Sequence, residues 1–163
     1  MSRVALLTEC LPYDSNYYSS LTLEDRFSLV GGNTGNNAYL TAISEIFDAK
    51  YVNYGELDVC LSEDRYDIYI VGNLSWILEN SPLPDFYYSA FKKIISAGKK
   101  FIPISVGTQV SNYKPKFEFH VDTLKFLKEI SEHAVIACRG SYTAEQLYQN
   151  GIRNIDVIGC PSL

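Results

Sequence analysis

Val30-Gly31-Gly32-Asn33-Thr34-Gly35-Asn36-Asn37-Ala38 gathers three glycines and three asparagines and runs directly into an amphipathic segment. Beyond it Ala38, Ala42, Ile43, Ile46 and Phe47 recur at helical spacing, with Thr41, Ser44, Glu45 and Asp48 on the opposite side. The pattern predicts a helix, with Asn36 or Asn37 capping its first free amides. Glycines ahead of a helix start allow close approach to the unpaired N–H groups and the positive end of the helix dipole. The loop therefore has two readings: a cradle for a phosphate or carboxylate, with Gly32, Asn33, Gly35, Asn36 and Asn37 as its contacts, or a turn whose asparagines only cap the helix. It is not a dinucleotide fingerprint, since Val30 stands where the first glycine of G-x-G-x-x-G belongs. Nor does a Lys-Ser or Lys-Thr pair follow to make a phosphate-binding Walker loop.

Working outward, short apolar runs alternate with helical patterns. Val4-Ala5-Leu6-Leu7 precedes the loop as a first strand, and residues 9–25 read as a long irregular connection. After the helix come strands at 50–54 and 67–72 with a short helix at 56–64 between them. A helix capped by Asp85 follows, with Phe86, Ala90, Phe91, Ile94 and Ile95 on one face and Gly98 at its end. Residues 101–107 form the next strand despite Pro103, which costs a ladder hydrogen bond at a central position. A helix at 120–132 uses Val121, Leu124, Leu127 and Ile130. A strand at 134–138 leads to a helix capped by Ser141 or Thr143 and broken at Gly151, and residues 155–159 make the sixth strand. This alternation predicts one α/β domain over 1–163 with a doubly wound, mostly parallel sheet. Ligands of such sheets bind beyond the carboxyl ends of the strands, which nominates Asn73, Thr108, Gln109, Arg139 and Ser141.

Composition narrows the function. A formal charge of −5 and a pI near 5.0 argue against nucleic-acid and anionic-membrane partners, which need clustered positive charge. No apolar run approaches a membrane span, and Met1-Ser2-Arg3 does not open a signal peptide, so the chain reads as soluble and cytoplasmic. Cys10, Cys60, Cys138 and Cys160 lack metal-site spacing and read as reduced, inert thiols; no metal and no cofactor is called for. Tyr13, Tyr17 and Tyr18 gather in a polar stretch, where tyrosines either hold sugars or serve as ordinary surface aromatics.

The run Val135-Ile136-Ala137-Cys138-Arg139-Gly140-Ser141-Tyr142-Thr143-Ala144-Glu145-Gln146-Leu147, then Asn150-Gly151-Ile152, then Val157-Ile158-Gly159-Cys160-Pro161-Ser162-Leu163, resembles the polysaccharide pyruvyl transferase family. Asn33-Thr34-Gly35-Asn36-Asn37-Ala38 also fits that family's loop before its first helix. The chain departs from it at Gly72-Asn73-Leu74-Ser75 and at Ser105-Val106-Gly107-Thr108-Gln109, where the family is richer in glycine. The resemblance implies a Rossmann-like fold similar to one half of a B-type glycosyltransferase, with 1–163 as the amino-terminal half of a two-domain enzyme and inactive alone. It implies pyruvate transfer from phosphoenolpyruvate to a saccharide acceptor as a ketal, in exopolysaccharide or cell-envelope synthesis.

That chemistry needs cations or N–H donors for the carboxylate and phosphate, and an acid and a base for the enol carbon and sugar hydroxyls. Arg139 matches the family's strand-end arginine and offers a bidentate fork; otherwise it pairs with a surface acid. Of two histidines, His120 is the catalytic candidate, with a plain solvated helix start as its other reading. His133 is accounted for by the carboxyl end of a helix. Two rival functions remain: half of a sugar-nucleotide-dependent glycosyltransferase, and a noncatalytic saccharide-binding domain.

Overall fold

The apolar runs pair as parallel strands in a computed structural model of the chain, which describes residues 3–9, 20–30, 35–72, 74–75, 77–110, 112 and 115–161. The strands are β1 (Val4–Leu7), β2 (Lys50–Val52), β3 (Ile68–Val71), β4 (Ile77–Leu78), β5 (Lys100–Val106), β6 (Thr108–Gln109), β7 (Ile136–Cys138) and β8 (Ile155–Val157). Six of them form one sheet in the order β2-β1-β3-β5-β7-β8, and β4 pairs with β6 in a two-stranded sheet. Every described pairing is parallel. The fold is thus α/β and Rossmann-like. The order reverses at β1, between β2 and β3, the kind of switch point where open α/β sheets bind ligands.

The helices are α1 (Leu23–Leu29), α2 (Gly35–Phe47), α3 (Leu57–Ser62), α4 (Asp85–Ser96), α5 (Val121–His133) and α6 (Ser141–Gln149), with a 3-10 turn at Tyr54–Glu56. On one face α2 buries Tyr39, Leu40 and Ile43 against Leu6, Ile70 and Ile104. On the other, α3 to α6 bury Leu57, Phe91, Leu127 and Leu147, among others, against Ala5, Tyr69, Phe101 and Ile136. Sheet residues alternate between these two clusters, as the pleat requires. Gly98 and Gly151, at φ 70° and 86°, follow the ends of α4 and α6 in the left-handed conformation that lets the chain turn away. No helix among the described residues is long and apolar enough to cross a membrane.

One irregularity sets the phase of the carboxyl edge. Ile104 packs on the α2 face and Val106 on the opposite face, although residues two apart in a regular strand share a face. The β5–β7 register shifts between them, with Ile104 opposite Ala137 and Val106 opposite Cys138. Ser105 is the extra residue of this bulge and sits at φ 64°. A left-handed non-glycine residue costs about 1–2 kcal/mol, so the bulge is maintained against a local penalty.

Several local expectations are corrected. The connection read as irregular ends in α1: the Thr22 hydroxyl accepts the Asp25 amide at 3.1 Å, a cap that the pattern hid because α1 buries no residue. Asn36 and Asn37 lie inside the first turn of α2 and do not cap it. Asn36 is buried and donates its amide to the Val30 carbonyl at 2.8 Å. Pro84 holds the N-cap position assigned to Asp85, and Gly140 the one assigned to Ser141 or Thr143, with no side-chain cap at either. Val121 is 72% exposed, since the buried stripe of α5 is Thr123, Phe126, Leu127 and Ile130.

At the amino edge, Arg3, Asp67 and Lys99 precede β1, β3 and β5. Arg3 donates to both Asp67 oxygens, from its amide at 2.9 Å and its guanidinium at 3.0 Å, and Arg3 and Lys99 also pair with Asp64. Hydrogen bonds from Arg3 hold the Asp67 carboxyl down at about 2, and Lys99 and Arg3 lower Asp64 as well. A depressed carboxylate contributes stability above its unfolded value near 3.8 and loses it as pH falls toward 2. Arg3→Ala is therefore expected to move acid unfolding to higher pH, with added salt shrinking the difference because the pairs are solvent-exposed. An acid titration followed by circular dichroism checks this, and superimposable curves for the two proteins would contradict it.

Candidate functional site

A parallel sheet brings all its strand ends to one edge, and there three connecting segments meet. Gly107, directly after β5, donates its amide to the Leu74 carbonyl at 3.1 Å. A Cβ built on Gly107 would lie 3.6 Å from Ser75 and 3.8 Å from the Arg139 Cβ. Arg139, directly after β7, donates its amide to the Val106 carbonyl at 2.8 Å, which continues the ladder one residue past the strand. Its side chain is exposed, and its guanidinium joins no ion pair or hydrogen bond among the described residues. Ser75, Gly107 and Arg139 therefore lie side by side at this edge, close-packed around a residue without a side chain.

The next two residues are held from α6. Thr108 donates its amide to the Thr143 hydroxyl at 3.0 Å, and the two hydroxyls lie 3.0 Å apart. Together with β4, which pairs Ile77 with Thr108 and Leu78 with Gln109, this makes the segment after β5 a short strand instead of a loose loop. Gln146, also on α6 and fully buried, accepts the Phe117 amide at 2.7 Å and donates to the Pro115 carbonyl at 3.3 Å, tethering the stretch that leads to α5. Thr143→Val keeps the shape of the side chain but leaves the Thr108 amide without its acceptor. Denaturant unfolding is expected to show a loss of about 1–3 kcal/mol; a change below 0.5 kcal/mol, on the order of a neutral surface substitution, would remove Thr143 as the anchor.

The other nominated residues are distributed as follows. Gly35, Asn36 and Asn37 form the first turn of α2, whose middle packs Leu40 and Ile43 over Gly72 at the end of β3. Gly32, Asn33 and Asn73 lie outside the described residues, as do Tyr13, Tyr17 and Tyr18. Gln109 and Ser141 are exposed, at β6 and at the first position of α6. His120 is the N-cap of α5: its Nδ1 accepts the Asp122 amide at 3.3 Å and lies 3.6 Å from the Asp122 carboxylate. Its described partners are in the first turn of its own helix, not in the group around Gly107. Ser105, Thr143 and Gln146 were not nominated from sequence as site residues. A cleft between the Pro82–Asp85 turn and the first turn of α5 shares no lining residue with the group around Gly107.

The polysaccharide pyruvyl transferase family model matches residues 14–163. The chain belongs to this family. No curated protein and no solved structure matches it. At the strand ends Arg139 presents an exposed guanidinium that has no hydrogen bond or ion pair among the described residues. Cys60 and Cys138 are unsuited to act as nucleophiles, since burial pushes the Cys138 thiol up to about 12 and raises Cys60 too, which keeps both protonated.

Proposed function

We propose that the chain is the amino-terminal, Rossmann-like half of an enzyme that transfers pyruvate from phosphoenolpyruvate to two hydroxyls of a saccharide as a cyclic ketal. The observation that carries this reading is the exposed Arg139 guanidinium at the carboxyl edge of the sheet, unpaired among the described residues, in a chain of this family. A guanidinium aligns a carboxylate or phosphate through two parallel bonds and remains charged while the reaction proceeds.

In the reaction a proton adds to the enol methylene to make a methyl group, while one sugar oxygen bonds to the enol carbon. The second sugar oxygen then displaces phosphate from that carbon, and both hydroxyl protons leave to a base. In the proposal Arg139 fixes the donor's negative charge, and the edge residues Gly32, Asn33, Gly35, Asn36, Asn37, Asn73, Thr108, Gln109 and Ser141 supply neutral contacts to donor and acceptor. His120 is assigned the proton transfer, which requires its ring to exchange the Asp122 amide for substrate. The exposure of Gln109, Arg139 and Ser141 supports a second α/β half closing over this edge. The proposal assigns the reaction to the cytoplasm, a reading supported by free thiols at Cys60 and Cys138.

The test is to incubate the full-length protein with phosphoenolpyruvate and candidate saccharides, following saccharide-dependent phosphate release and the methyl signal of a new ketal by NMR. Transfer from a sugar nucleotide, or saccharide binding without turnover of either donor, would replace this reading with one of its rivals.

A further inference from the structure

The cleft between the Pro82–Asp85 turn and the first turn of α5 holds about 180 Å³. Its walls are fixed in advance of any ligand. The Leu83 amide donates to the Thr123 hydroxyl at 3.1 Å, and that hydroxyl donates to the Ser81 carbonyl at 3.3 Å. Asn80 donates to Glu118 from its backbone amide at 2.9 Å and from its side chain at 3.0 Å. Of the lining rings, Tyr88 meets Phe126 edge-on at 5.6 Å, and its hydroxyl donates to Glu129 at 3.0 Å, which holds the ring in place. Preformed apolar and aromatic walls with a few polar groups are the usual make-up of a small-molecule site. The volume is below the roughly 300–1,000 Å³ of sites that enclose a drug-sized ligand, so the cleft suits one ring of a larger molecule.

The charges at the cleft select the kind of ring. Asp85 and Asp122 lie in the first turns of α4 and α5, and Lys125 stands one turn further along α5. The side chains of Asp85 and Lys125 join no ion pair or hydrogen bond among the described residues, and Asp122 lies 3.6 Å from His120 Nδ1. An ionised carboxylate only accepts hydrogen bonds and an ammonium only donates them. A phosphate or carboxylate would meet two like charges at the helix starts, where an anion otherwise binds, and an amine would meet Lys125. A hydroxyl both donates and accepts, so a neutral polyhydroxylated ring satisfies all three groups while its C–H face packs on the aromatic and proline walls.

We propose that this cleft is a saccharide site, which holds one ring of the acceptor chain away from the reacting hydroxyls. In a parallel sheet the helices start at the edge where the strands end, so the first turns of α4 and α5 stand at the same end of the domain as Arg139. Tyr88 and Lys125 also line a shallow groove that continues between α4 and α5 past Leu124 and Lys128, a path for the rest of the chain. That the saccharide is the acceptor rests on the function proposed above; the site itself rests on the cleft and its charges.

Chemical-shift mapping on the full chain with glucan, mannan and galactan hexasaccharides tests this, with phosphoenolpyruvate as the anionic control. At least one hexasaccharide is expected to move the amides of residues 83–88 and 122–126 saturably, and phosphoenolpyruvate to leave them in place. Asp85→Ala and Lys125→Ala should each raise Kd about tenfold, with little change in melting temperature because both side chains are exposed. Asp85→Asn, which keeps one acceptor oxygen, should recover part of the affinity. No saturable shift with any of the three hexasaccharides, an unchanged Kd in both alanine variants, or phosphoenolpyruvate moving the same amides overturns the site. Pyruvate transfer to a monosaccharide in a protein whose cleft binds none of the hexasaccharides would refute the site and leave the enzyme reading. Cleft binding that depends on Asp85 and Lys125, without transfer to any acceptor, would do the reverse.

Discussion

Arg139→Ala in the full-length protein is expected to lower donor use by about ten- to a hundredfold while leaving the fold intact. The magnitude is that of one charge-assisted, bidentate contact, about 1.5–3 kcal/mol. The expected silence in stability follows from position: the Arg139 backbone amide, not its side chain, bonds to Val106, and the side chain is exposed. Cys138 before it and Ala144 after it remain to hold β7 and α6 in the core. Lysine should restore only part of the activity, since an ammonium supplies charge without the planar fork. Ketal formation and melting temperature measured on one preparation decide the matter. Unchanged transfer in the alanine variant would take Arg139 out of the site, and lost activity accompanied by a large fall in melting temperature would make it a structural residue.

The parts of the fold that were legible in the sequence are those where one strong term acts locally. Apolar runs such as Ile68-Tyr69-Ile70-Val71 are buried on both faces of a parallel sheet, and the spacing of Ala90, Phe91 and Ile94 matches one stripe of a helix. Arg139 was legible as a strand-end residue because the apolar run before it stops there. What escaped depends on partners distant in sequence. Thr143 was read as a cap because threonine near a helix start usually is one, but its hydroxyl is directed to Thr108, on another element. Gln146 carries no periodic signal, and its role comes from two backbone groups in the 115–117 stretch. Ser105 is the hardest case, since nothing in Pro103-Ile104-Ser105-Val106-Gly107 announces a left-handed serine; the bulge arises where β5 must serve opposite faces with Ile104 and Val106. His120 shows the converse. A histidine opening a helix was legible as a titratable group near the edge, and its Nδ1 is engaged in capping α5.

Phe91→Ala should be the most damaging single change to stability, at about 3–5 kcal/mol in denaturant unfolding. Phe91 is 1% exposed on the buried stripe of α4, and its ring meets Phe101 of β5 edge-on at 5.2 Å. It also meets Phe126 and His133 of α5 at 5.8 and 5.6 Å, so one side chain joins two helices to the central strand. Alanine removes the ring's burial and leaves a cavity among neighbours fixed by their own helices and strand, which limits collapse. Leucine should recover more than half of the loss, because it refills most of the volume while giving up the edge-to-face contacts, worth about 0.5–1.5 kcal/mol each. A loss of several kcal/mol is a large fraction of the 5–15 kcal/mol that holds a typical domain together, so the alanine variant should begin to unfold near physiological temperature. The sign of the comparison with Arg139 is opposite: Phe91 stands in the core beneath α4, so transfer per folded molecule should be retained below the melting point. Urea unfolding of wild type, Phe91→Ala and Phe91→Leu measures the effect. A loss under 1 kcal/mol for alanine would mean that α4 and α5 are held to β5 mainly by their other contacts, Ile94 and Ile130 foremost, and that the aromatic cluster is not the centre of this face.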